Sequence, residues 1–152
     1  MMYLRDFIIS YFATLGFCIL FNVPKKYIVH GCLTGAIGWC VFIFNKEIFH
    51  SNPFPNFLAS IVIGILGEIF ARINKTPVTL YVIPGIIPLV PGYGIYLSMI
   101  HLINNDFYSA IKTGVDTLFI AGAISMGIII VTSFSRLIKL HKLKIIKKNK
   151  RA

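Results

Sequence analysis

The sequence predicts an all-α integral membrane protein with five transmembrane helices, the fourth broken into two half-helices by a Pro/Gly run. Three observations carry this. Of 152 residues, 57% are apolar and only 13% charged, where soluble domains carry about 25% charge. The mean hydropathy is +0.80, and a soluble chain of this size could not bury so much apolar surface. The apolar residues fall in five segments, at 3–21, 27–44, 54–70, 77–103 and 113–138. A helix needs about 20 residues, within a range of about 17–25, to cross the hydrocarbon core.

The first segment has Arg5 and an apolar run, as a signal peptide would. Asp6 cancels the charge, however, and no small-x-small cleavage site precedes Asn22, so it reads as a retained helix. Asn22-Val23-Pro24-Lys25-Lys26 ends it. The second segment stops before Ser51-Asn52-Pro53-Phe54-Pro55, which opens the third. Thr76-Pro77 reads as an N-cap followed by proline at the first helical position of the fourth. Asn104-Asn105-Asp106 closes the fourth segment and is placed to cap the fifth.

Charge tests this count. With five crossings and the carboxyl terminus in the cytoplasm, twelve Lys and Arg residues fall inside and three, Arg5, Lys46 and Lys112, fall outside. That is the asymmetry of the positive-inside rule. A re-entrant fourth segment would move Lys25 and Lys26 outside and weaken it. The expected topology is therefore a multi-pass protein of the cell (inner or plasma) membrane, amino terminus outside. Residues 1–138 form the membrane domain and 139–152 a basic cytoplasmic tail. Eight of the fifteen basic residues lie at 136–152, with no acidic residue among them. Such a tail orients the chain and rests on anionic lipid. No aromatic residue is interleaved to stack on bases, so nucleic acid is not an expected partner.

The cysteines Cys18, Cys32 and Cys40 fall inside helical segments without a CxxC pair and read as small apolar residues. The four histidines show no ligand spacing. No metal site, cofactor motif, phosphate loop or nucleophile–base pair is visible, so an enzyme is not expected.

The fourth segment carries the informative defect. Residues 83–94 read IPGIIPLVPGYG, with three prolines in eight positions. Each would cost about 3 kcal/mol in a helix interior. No side chain at 84–92 can cap the broken ends, and unpaired backbone is tolerated in a bilayer only where protein or a water-filled cavity covers it. The expectation is two half-helices, at 77–83 and 93–103, of about 10 and 16 Å, joined by an extended or turn-like linker. The amino-terminal end of the second would present free N–H groups and a positive dipole end to an anionic group such as a carboxylate. The expected substrate-binding residues are Pro84, Gly85, Ile86, Pro88, Pro91, Gly92, Tyr93 and Tyr96, with glycines admitting a ligand to the backbone. A packing kink, or a plug lodged against a partner, is the competing reading of this run.

Glu68, four residues before Arg72, and Asp116, four after Lys112, read either as local ion pairs or as proton-coupling groups on a transport pathway. Glycine and alanine cluster at 31–38, 64–67 and 121–127, as close helix packing requires, within the chain or against a partner.

Several of these stretches together resemble a known family. They are Phe21-Asn22-Val23-Pro24, Gly35-Ala36-Ile37-Gly38, Ala59-Ser60 through Gly64 to Gly67-Glu68, Lys75-Thr76-Pro77, the PGIIPLVPG run at 84–92, and Tyr96 to Met99. The chain resembles the small subunit of the split threonine/serine exporters of the ThrE type, equivalent to the carboxyl-terminal half of the fused exporters. The resemblance covers nearly everything but the tail. It implies a membrane subunit that pairs with a larger transmembrane subunit and exports small amino acids, threonine and serine, on the proton gradient. It does not settle the substrate: a small dicarboxylate would suit the same helix end, and a non-transporting scaffold is the reading that needs no open break at all.

Overall fold

The computed structural model describes the backbone at residues 2–49 and 53–149, and side chains at 3–49 and 53–137. The elements are α1 (Met2–Leu20), α2 (Lys25–Ile48), α3 (Pro53–Asn74), α4 (Thr79–Ile86), a 3₁₀ turn (Ile87–Leu89), α5 (Gly92–Ile103) and α6 (Phe107–Asn149). No strand occurs among the described residues. Among the described residues four helices are long and apolar enough to cross a membrane, and α4 with its 3₁₀ turn meets α5 at a 45° bend, a fifth span if the bent pair is taken as one. The chain is an all-α, multi-pass membrane protein.

Three connections use one device. Asn22, Lys75 and Asn105 adopt left-handed backbone, with φ of 53°, 54° and 57°. Beyond each, an N–H reaches back five residues: Val23 to the Cys18 carbonyl at 2.9 Å, Thr76 to Ala71 at 3.0 Å, Asp106 to His101 at 2.9 Å. This pattern satisfies carbonyls that a helix end leaves orphaned. Asp106 then caps α6, its Oδ1 accepting the Ser109 N–H at 3.2 Å. The Ser109 hydroxyl and N–H hold the Asp106 carboxyl below its ordinary range.

Two expectations change. Thr76 does not cap α4; its hydroxyl meets the Tyr81 hydroxyl at 2.9 Å, and α4 begins at Thr79. The helix also runs through Pro84 and Gly85, not stopping at Ile83. Pro84 is fully buried, and a Cβ at Gly31 of α2 would lie 3.9 Å from both the Pro84 ring and the Leu80 carbonyl that Pro84 leaves without a donor. A buried proline in helical φ keeps the helix going at the loss of one hydrogen bond. Ile87, although it precedes Pro88, stays helical at φ −56°, ψ −38°. Only Val90, before Pro91, turns extended, at φ −59°, ψ 128°, as the residue before a proline prefers. The break is two residues wide, at Val90 and Pro91.

Packing among the helices is close because glycines allow it. A Cβ at Gly35 would collide with Thr14 of α1, at Gly38 with Ile63 of α3, at Gly67 with Val82 of α4, and at Gly127 of α6 with Ser60 of α3. These small residues therefore pack within the chain. The central apolar cluster joins Ala59 and Ile63 of α3 with Val82, Leu89 and Ile124. A smaller one holds Cys18, Val23 and Cys32 at the α1–α2 contact. α5 packs chiefly against α6, leaving the first half of that hairpin largely uncovered. α6 has 43 residues, about 64 Å of helix against about 30 Å of hydrocarbon. Its backbone stays helical into the basic tail; the tail's side chains, and with them the expected lipid contact, lie outside the described residues.

Candidate functional site

The broken span has two unlike halves. Tyr81, Val82, Pro84, Gly85 and Leu89 are buried. A Cβ at Gly85 would sit 3.1 Å from Thr34 and 3.5 Å from the Gly35 nitrogen. Pro84 and Gly85 thus fill the interior of the bundle and leave no room for a ligand at their own backbone. α5 is open: none of its residues is buried.

The amino-terminal end of α5 is uncapped by any side chain. The Gly92 N–H turns back to the Val90 carbonyl at 2.8 Å, and Ile95 makes the first helical bond, to Pro91 at 3.3 Å. That leaves the N–H groups of Tyr93 and Gly94 as the orphan donors of this end. A Cβ at Gly92 would meet nothing within 4 Å, and Tyr93 and Tyr96 project outward, 73% and 59% exposed. Gly94 packs on Thr117 of α6.

A cavity lies on each side of the break. The larger, about 500 Å³, has Ile86, Val90 and Pro91 on one wall and Ala121, Ser125 and Ile129 of α6 on the other. Its polar side chain, Ser125, donates to the Ala121 carbonyl of its own helix at 3.0 Å, so the wall is apolar. The smaller, about 280 Å³, is formed by Asp6, Ile9, Ser10 and Ala13 of α1, Trp39 of α2 and Pro88 of the 3₁₀ turn. Asp6 pairs with Arg5 at 3.5 Å, its side chain 18% exposed against 69% for Arg5. Ser10 is buried, and its hydroxyl has no hydrogen-bond partner.

The two acids expected on the pathway line neither cavity. Glu68 pairs with Arg72 at 3.5 Å, and Arg72 donates onward to the Ser135 hydroxyl at 2.7 Å, tying α3 to α6. Asp116 is exposed on α6 and forms no ion pair with Lys112 among the described residues. The structure brings Ile86 and Pro91 together at the larger cavity and places Pro88 at the smaller one, with Tyr93 and Gly92 opening outward. It adds Asp6, Ser10 and Trp39, which sequence reasoning passed over. Their one signal was an acid and a hydroxyl four residues apart, on one face of an apolar helix.

A family described as "Threonine/Serine exporter, ThrE" matches residues 6–134, which takes in the break and the lining of both cavities. The chain belongs to the threonine/serine exporter family. This is a family of transporters, not of catalysts. An uncharacterised protein of Haemophilus influenzae is 29% identical over 133 residues, covering 82% of this chain and 45% of that protein. The chain thus spans less than half the length of that curated relative. No solved structure matches it.

Proposed function

We propose that this chain is one membrane subunit of a secondary exporter for small amino acids, threonine and serine, and that it works with a larger transmembrane subunit on the proton gradient. The observation that carries the reading is the break at Val90 and Pro91, where an apolar span leaves the Tyr93 and Gly94 N–H groups uncapped. In a bilayer such groups need a partner, and a helix amino terminus favours an anionic one. The substrate carboxylate docks there. Gly92 leaves it room, Ile86 and Pro91 wall the approach, and Tyr93 and Tyr96 face the side from which the larger subunit closes. Pro84, Gly85 and Pro88 hold the break in shape from within.

Family membership and the relative's extra length both favour a two-part machine. So does the outer face of the α5–α6 hairpin, whose Ile103, Leu118 and Phe119 are exposed. Among the acids, Asp116 has no ion pair among the described residues and is the better proton carrier in this scheme; Glu68 is the second candidate. The charge asymmetry favours an amino terminus outside and a cytoplasmic carboxyl terminus in the cell membrane, the basic tail lying on anionic lipid.

The test is intracellular threonine in cells fed a threonine dipeptide. Co-expression of this chain with the larger subunit lowers it below the level reached with either subunit alone. Equal levels in all three strains contradict the reading.

A further inference from the structure

We propose that His30 is a proton-responsive latch on the broken span: neutral, it lets α4 pack on α2 and α3 and hold the break in shape; protonated, it loosens that contact and slows export. The assignment rests on the export reading. The first reason is place. The His30 ring meets Phe70 of α3 at 4.9 Å and Tyr81 of α4 at 6.4 Å, edge to face at 72° in both. Phe70 and Tyr81 are themselves 6.0 Å apart, so three helices meet at this imidazole. Tyr81 is fully buried. Its hydroxyl meets Asn74 at 3.1 Å and Thr76 at 2.9 Å, in the turn that leads into α4. The next residue on α2, Gly31, packs on Leu80 and on the Pro84 ring. α4 thus rests on α2 at His30 and Gly31, and the run from Pro84 to Pro91 continues from that seat.

The second reason is that the site makes no provision for a charge. His30 Nδ1 is buried without a hydrogen-bond partner, and no ion pair among the described residues includes the ring. The titratable groups around it do not serve. Tyr27 of α2 presents its ring to Tyr81 at 6.3 Å, and the Lys26 ammonium, 5.8 Å from the Tyr27 centroid, has the wrong sign. Glu68 and Arg72 stand two positions either side of Phe70, which puts them on the far face of α3, and they pair with each other at 3.5 Å. Tyr81 of α4 keeps its hydroxyl on Asn74 and Thr76. The thiols of Cys18 and Cys32 lie apart, at the α1–α2 contact. A neutral imidazole tolerates this setting at the loss of one hydrogen bond. In an imidazolium both nitrogens are donors, and an unpaired charge away from water is far costlier. The aromatic rings attract a cation, but less than that charge costs. Histidine changes charge near physiological pH, and His30 is only half-buried, so a proton reaches the ring from its open side. Protonation then draws the ring toward that side and removes the seat of α4. With the topology that the charges favour, this end of α2 is cytoplasmic. An exporter that draws protons inward is thereby slowed by the acid it imports.

The test is threonine counterflow by the two-subunit complex in proteoliposomes held at equal pH inside and out, so that no proton gradient contributes, between about pH 5.5 and about pH 8. The wild-type rate falls about fivefold or more as pH is lowered across that range. His30→Phe keeps an aromatic ring and His30→Asn a neutral polar group; neither takes up a proton, and both hold their high-pH rate throughout. Where phenylalanine overfills the site, the smaller asparagine carries the test. A fall that persists in these variants overturns the proposal, as does one that Asp116→Asn or His101→Gln abolishes instead. Variants that are slow at every pH but keep the wild-type profile show a structural role only and overturn it too. Wild-type counterflow that is brisk and flat with pH overturns the latch and leaves the export reading standing. A wild-type complex without counterflow at any pH overturns the export reading itself, and the latch with it.

Discussion

Lys75 sits in left-handed backbone where the other two helix-ending turns use asparagine. For an ordinary L-residue that conformation costs about 1–2 kcal/mol, and asparagine bears it more cheaply. Lys75→Asn should raise stability by about 1 kcal/mol, seen as a higher midpoint of thermal unfolding in detergent; an unchanged or lower midpoint counts against this reading of the turn. The turns at Asn22 and Asn105 were legible in the sequence because asparagine advertises the conformation. Lys75 was not, since nothing in a lysine signals positive φ. Ser10 was illegible for a different reason. Whether a helical hydroxyl bonds its own backbone depends on its rotamer, and the rotamer depends on neighbours distant in the chain.

At the scale of elements, the sequence marked the defect in the fourth span but not its shape. Three prolines look alike on the page, and the expected linker ran from 84 to 92. Packing separates them: Pro84 is buried against α2 and keeps its helix, Pro88 lies within the 3₁₀ turn, and Pro91 alone breaks the chain. The glycine clusters were legible as packing faces, though not which partner each would meet. Gly127 and Gly122 test that assignment. A Cβ at Gly127 would meet Ser60 and lie 2.9 Å from the Phe57 carbonyl, whereas one at Gly122 meets nothing within 4 Å. Gly127→Ala should cost about 1–3 kcal/mol by overpacking the α3–α6 contact. Gly122→Ala should be neutral or gain up to about 1 kcal/mol of helix propensity. Thermal unfolding of the two variants in the same detergent decides; equal effects would refute the α3–α6 register.

For the whole molecule, composition alone announced a membrane protein, because lipid accepts the exposed apolar side chains that water would penalise. Leu4, Phe12, Leu118 and Phe134 are each more than 60% exposed and need lipid or a partner around them. The polar cavity was beyond sequence reasoning, since it exists only where α1 meets a turn some eighty residues later. The break, by contrast, is visible in the sequence, and export through it requires that it be open to water and substrate. Gly92 is the place to ask, because a cysteine there fits without strain. In a background with Cys18, Cys32 and Cys40 replaced by alanine, Gly92→Cys in the two-subunit complex should react with a membrane-impermeant thiol reagent, and threonine should slow that reaction. A thiol that stays unmodified, or reacts at one rate with and without threonine, would contradict a docking site at the broken helix.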